Sequence, residues 1–105
     1  MAAVTVMLVV RTAAADDRFV AIESGNALLA LCQSANPYDR QSCRWYSAGM
    51  SDTLSMLKKI CPPVDVTGKQ ISDIIVNYLV ARPEWRQYSA PDITQQALLA
   101  VWPCQ

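Results

Sequence analysis

The sequence predicts a small all-α domain, a bundle of about four helices arranged as two helical hairpins and held by two disulfides. Three observations carry this. Apolar residues recur at three- and four-residue steps in four separate segments, the signature of helices that bury one face. Proline and polar clusters separate the segments. Four cysteines, an even number, fall in a chain of 105 residues, which is the size of one domain.

The first element is predicted at about 24–33, SGNALLALCQ. Ser24 is placed to cap it, and Leu28, Leu29, Leu31 and Cys32 form its stripe. Gly25 in its first turn reads as a weak spot that lets the end fray. Asn36-Pro37 then marks a turn. The second and longest helix is predicted over about 39–60, with Cys43, Tyr46, Met50, Leu54, Leu57 and Cys61 along one face. Gly49 sits beside that face, and its better reading is the close approach of a neighbouring helix. Asp52 reads as exposed or hydrogen-bonded. Lys58-Lys59 suit the negative end of the helix dipole, and Pro62-Pro63 close the element. The third helix opens on a capping box, Thr67 with Gln70, and buries Ile71, Ile74, Ile75, Tyr78 and Leu79. It stops near Arg82, before Pro83. The fourth opens at Ala90-Pro91, with Asp92 at its positive end and Ile93, Ala97, Leu98 and Val101 as its stripe. Pro103 stops it.

Residues 1–15 read differently from the rest. Ala2 to Val10 is an apolar run too short to span a bilayer, which takes about 20 residues. It leads to Ala13-Ala14-Ala15, a small-residue site of the kind signal peptidase cleaves. No basic residue precedes the run, and Arg11 follows it, so the expected reading is a signal peptide truncated at its start. The mature domain is then 16–105, with eight basic and nine acidic side chains. The alternative is a buried N-terminal helix or strand.

The cysteines support export. In an oxidising compartment Cys32, Cys43, Cys61 and Cys104 read as a disulfide framework. A zinc site is disfavoured because no two are closer than eleven positions, whereas such sites carry close Cys pairs. Eighteen helical positions separate Cys43 from Cys61 by roughly 27 Å, and a disulfide needs Cα atoms within about 7 Å. That excludes this pair. Two antiparallel hairpins bring Cys32 beside Cys43 and Cys61 beside Cys104, which is the expected pairing.

Chemistry is thin. The chain has no histidine, the commonest general base and metal ligand. With the cysteines oxidised, neither a Ser-His-Asp nor a Cys-His arrangement can be built. Asp65, Asp73 and Asp92 sit where capping and the helix dipole explain them, and Gly25, Gly49 and Gly68 are isolated, so no phosphate loop is formed. Nine basic and nine acidic residues are scattered singly, with no basic stripe for nucleic acid. The expectation is a non-enzyme with no cofactor, no metal and no membrane span in the mature chain.

What remains is a segment suited to binding protein. Arg82, Pro83, Glu84, Trp85, Arg86, Gln87 and Tyr88 form a proline-stiffened loop rich in the side chains enriched at interface centres. Arg82, Glu84, Trp85, Arg86 and Tyr88 are candidate partner-binding residues; the alternative is that Trp85 or Tyr88 folds back as a lid on the core. Trp45, off the main stripe of the second helix, is a further candidate, either as a second packing face or as a dimer contact.

The ordered motifs GNALLALCQ, CRWYSAGMSD, CPPVDVTGKQISDIIVNYL, ARPEWR and ALLAVWPC span residues 25–105. In that order the chain resembles the Rap/Tai-type immunity proteins of type VI secretion systems. The resemblance implies an α-helical periplasmic domain, often dimeric, that binds and blocks a peptidoglycan amidase effector delivered by sister cells. Cys43, Gly49, Asp52, Cys61, Pro63, Pro83, Glu84, Arg86, Pro103 and Cys104 match the family pattern. One departure stands out. Where the family usually has Gly-Tyr-Ile, this chain has Trp45-Tyr46-Ser47, which bears on the helix packing at that point or on the interface formed there. Two other functions fit the composition: a small periplasmic stress chaperone, and an accessory domain with no toxin partner.

Overall fold

The computed structural model describes residues 3–5 and 22–105. The leader read at 1–15 and the domain start at Asp16 lie outside the described residues, save for 3–5. Four helices follow one another: α1 (Gly25–Cys32), α2 (Pro37–Met56), α3 (Gly68–Ala81) and α4 (Ala90–Val101), with a 3-10 turn at Pro83–Trp85. Each helix touches the other three, so the fold is a bundle. Among the described residues there is no named strand, only an isolated antiparallel bridge between Ser24 and Ser89.

The helix starts follow their capping residues. Ser24 Oγ accepts from Ala27 N–H at 3.1 Å. Thr67 and Gln70 make both bonds of the capping box, at 3.1 and 2.8 Å. Ser89 Oγ accepts from Asp92 N–H, with Pro91 in the first turn behind it. Helix α2 begins two residues earlier than expected. Asn36, read as a turn residue, is its N-cap and accepts from Tyr38 N–H at 2.9 Å. Pro37 then takes the first helical position, where its missing N–H costs nothing.

The end of α2 departs further. The helix stops at Met56 rather than near Ile60. Lys58 adopts a left-handed backbone (φ 58°), Lys58 N–H donates to Ser55 O, and Lys59 N–H donates to Leu54 O. That is a Schellman cap with lysine where glycine is usual. Its benefit lies downstream. A continued helix would turn Ile60 well off the apolar stripe, whereas the cap turns it inward until it is buried. Leu57, expected on the stripe, is 57% exposed instead.

The core comprises Leu28 and Leu29 of α1, Leu54 of α2, Ile60, Ile71, Ile75 and Leu79 of α3, and Ala90, Ile93, Ala97 and Leu98 of α4. Both disulfides pair as the hairpins require, Cys32–Cys43 and Cys61–Cys104. The two differ in setting. Cys43 is buried, whereas Cys61 and Cys104 are both exposed.

Two glycine readings are reversed. A Cβ on Gly49 would meet nothing within 4 Å, so no helix approaches there. A Cβ on Gly25 would lie 3.0 Å from Arg86 O and 3.0 Å from Leu79 Cδ2. Gly25 is therefore the point where the 82–89 segment packs against α1, and its first turn is anchored rather than frayed.

Candidate interaction site

The 82–88 segment is built around two backbone problems. Arg82 precedes a proline, which bars it from the helical region, and it sits at φ −130°, ψ 69°, ending α3. The last carbonyls of α3 then need donors. Arg86 supplies them, with Nε donating to Leu79 O at 2.6 Å and Nη2 to Val80 O at 3.1 Å. The first N–H groups of α1 need acceptors, and the same segment provides them. Gly25 N–H donates to Tyr88 O at 3.0 Å, and Asn26 N–H to Arg86 O at 2.8 Å. Ala90 N–H donates back to Glu23 O. One short segment therefore closes the end of α3 and the start of α1, while Glu23 and Ser89 close the start of α4.

The five candidates on this segment separate accordingly. Arg86 is spent on the α3 carbonyls. Arg82 is half-buried, its guanidinium carbon 4.1 Å from the Tyr78 ring centroid and 5.7 Å from that of Trp85. The two rings meet at 6.1 Å, tilted by 47°. Such cation–π and tilted ring contacts hold the segment in shape. Glu84, Trp85 and Tyr88 face outward, Trp85 at 40% and Tyr88 at 56% exposure. Between the two rings lies a shallow cavity of about 330 Å³, floored by Ile93 and edged by Asp92 and Gln96. Neither aromatic is a closed lid on the core.

Trp45 lies elsewhere and shares none of this lining. It is 70% exposed, so it is not a second packing face within the chain. It edges a separate groove of about 520 Å³. The neighbouring positions show why tryptophan is tolerated where the related pattern has glycine: Trp45 points out, while Ser47 is buried and donates to Cys43 O at 2.7 Å. Tyr46 turns inward. Burial pushes its phenol up from the ordinary value near 10, and the neighbouring Thr94 hydroxyl opposes that only in part. Neither hydroxyl reaches a partner at hydrogen-bonding geometry.

Sequence reasoning missed the other side chains of that groove, above all Arg40, Arg44 and Lys69. The signal was present in part: Pro37, Arg40, Gln41, Arg44 and Ala48 fall at helical spacing on one face of α2. What the spacing could not give was the start of α3 lying alongside.

Three carboxylates are tied down locally. Ser34 Oγ donates to Asp39 and Ser89 Oγ to Asp92, each at 2.7 Å, and Lys69 pairs with Asp73 at 2.8 Å. Among the described residues no three His, Cys, Asp or Glu side chains cluster to hold a metal, and no helix is long and apolar enough to cross a membrane. At the 82–88 segment the exposed groups are the Trp85 and Tyr88 rings beside Glu84, and at the groove they are the Trp45 ring beside cations. Aromatic and arginine side chains of this kind are enriched at protein interfaces.

No curated protein and no solved structure matches the chain. The family model of the Rap1a immunity proteins matches residues 24–104, from the cap of α1 to the last cysteine. Since that covers nearly the whole helical domain, the chain belongs to the Rap1a immunity protein family.

Proposed function

We propose that this protein is a periplasmic immunity protein that binds and inhibits a peptidoglycan amidase effector of a type VI secretion system. Membership of the family implies a protein effector as partner and a role by binding rather than catalysis. Two disulfides accord with an exported protein in an oxidising compartment, reached through the signal peptide read at 1–15.

The observation that carries the reading is the outward pair Trp85 and Tyr88 on a segment pinned at both ends. Its backbone is bonded to α1, and Arg86 ties it to α3. A segment held in one conformation loses little entropy when it docks, so most of the contact energy appears as affinity. Exposed Trp and Tyr on such a support are the usual sites of concentrated binding energy. Inhibition then follows from occupancy: the rings cover the effector's substrate cleft, with Glu84 beside them to set polarity.

The test is inhibition of purified amidase effectors in a peptidoglycan-cleavage assay, beginning with any effector encoded beside this gene. The wild-type protein should inhibit stoichiometrically. Trp85→Ala with Tyr88→Ala should weaken inhibition by about a thousandfold, at about 2 kcal/mol per lost anchor. Inhibition undiminished by that double change would remove the segment from the interface, and absence of binding to every effector tested would remove the amidase reading.

A further inference from the structure

We propose that the groove between α2 and the start of α3 is a second docking surface, which takes an extended acidic segment of a partner protein. It is lined by Pro37, Arg40, Arg44, Trp45, Ala48 and Lys69, and its volume is about 520 Å³. The proposal uses none of the 82–88 candidates and does not depend on the partner being an amidase.

The shape sets the kind of ligand. The α2 positions from Pro37 to Ala48 span three helical turns, roughly 16 Å at 1.5 Å per residue. That length matches about five residues of extended chain at 3.3 Å each, whereas a lone anion would occupy one end of it. The lining is apolar at Pro37, Trp45 and Ala48 and cationic between them, which suits a segment alternating carboxylates with an apolar side chain.

The charge sets the sign. Arg44 has no ion pair and no side-chain hydrogen bond among the described residues. Arg40 spends one nitrogen on Ser34 O, at 2.8 Å, leaving the rest of its fork unused. Lys69 pairs with Asp73, both well exposed, and an exposed pair of this kind is held by well under about 1 kcal/mol. Its ammonium can therefore turn to a ligand carboxylate. Three cations thus line one groove, opposed by one carboxylate.

The same charges weigh against other occupants. From residue 22 onward the chain carries seven basic and seven acidic side chains, so beyond the groove no broad basic face exists for a membrane or nucleic acid. In the full sequence the one adjacent acidic pair, Asp16-Asp17, is followed at once by Arg18, so a second copy offers a weaker match than a continuous acidic run.

The experiment is a ¹H–¹⁵N correlation titration of the whole labelled protein with the capped peptide Glu-Glu-Leu-Glu-Glu. Shifts should concentrate at 37–48 and 67–73 and leave 82–88 unmoved. Arg44→Glu should weaken binding at least about tenfold, and about 0.3 M salt should do the same. Lys69→Ala, a milder change, should weaken it about threefold, which keeps the test valid if Arg44→Glu unfolds. No shifts, shifts at other surfaces, or binding indifferent to both variants would overturn the proposal. So would inorganic phosphate alone reproducing the shifts, anionic vesicles binding through the groove where the peptide does not, or concentration-dependent shifts without peptide that Arg44→Glu abolishes. No effector is present in this titration, so failure of the amidase reading leaves its outcome intact.

Discussion

The 82–88 segment and the Trp45 groove are composed of the same residue types, proline, tryptophan and two arginines each, yet the fold uses them in opposite ways. In the segment, the arginines face inward. Arg86 closes the carbonyl end of α3 and Arg82 stacks on Tyr78, so the exposed positions are the uncharged Pro83, Trp85, Gln87 and Tyr88 together with Glu84. In the groove, Arg44 has nothing to close, because it sits in the middle of a helix whose backbone is already bonded. An arginine beside a helix end is recruited by orphan carbonyls, and one beside a helix middle is left for a ligand. Each region is also enclosed by its own disulfide: Cys61–Cys104 brackets the segment across 43 positions, Cys32–Cys43 the first part of the groove across 11.

The largest expected effect tests that enclosure. Replacing Cys61 and Cys104 by alanine should cost about 4 kcal/mol by the loop-closure estimate, against about 3 for Cys32 and Cys43. Urea denaturation of the two double variants measures both, and a reversed order would show that burial of Cys43 outweighs loop length.

Next come the arginines. Arg86→Leu should lose about 2–3 kcal/mol, since two charge-assisted bonds to helix carbonyls go with it. Arg44→Leu should stay within about 0.5 kcal/mol of wild type. If the two cost the same, the contrast between a structural and an available arginine fails.

A third pair concerns glycine. Gly25→Ala should destabilise by about 1–3 kcal/mol, because its Cβ would press on backbone atoms of Arg86 that are themselves bonded to α1. Gly49→Ala should stabilise by about 0.5–1 kcal/mol, since its Cβ meets nothing and alanine is the better helix former. Thermal melts of the two would move in opposite directions.

The smallest effect separates neighbours on α2. Tyr46 is the group whose phenol is raised by burial. With the folded value above the unfolded one, its contribution is complete below about pH 10 and is lost as pH rises through the folded value. Tyr46→Phe should abolish that alkaline loss and be near neutral at pH 7, because the hydroxyl has no well-formed partner to forfeit. Trp45→Phe, on the exposed side, should leave the alkaline loss unchanged.

Much of the bundle was legible in the residues. The capping box at Thr67, the stripe of α3, the proline at 91 and the pairing of the cysteines all follow from local chemistry and helix length, whereas Pro37, read as part of a turn, proved to open α2. The end of α2 was not, because Lys58 gives no sign in sequence that it will adopt a left-handed backbone so that Ile60 can be buried. Nor were the two glycines, whose meaning lies in what approaches them. Of the candidate site, Trp85, Tyr88 and Trp45 stood out as candidates in the residues, but packing was an equal alternative and only the fold showed them exposed. The structural role of Arg86 and the Arg40–Arg44–Lys69 set were not legible.

By itself, then, the sequence determined the four helices, the caps at Ser24 and Thr67 and the covalent framework, because these depend on periodicity, side chains within four residues of a helix end, and the length of a helix. Only the tertiary structure decided which arginines are structural and which glycine is indispensable. Those roles depend on atoms distant in the chain: Leu79 and Val80 carbonyls beneath Arg86, Arg86 itself against Gly25, and Lys69 across the groove from Arg44.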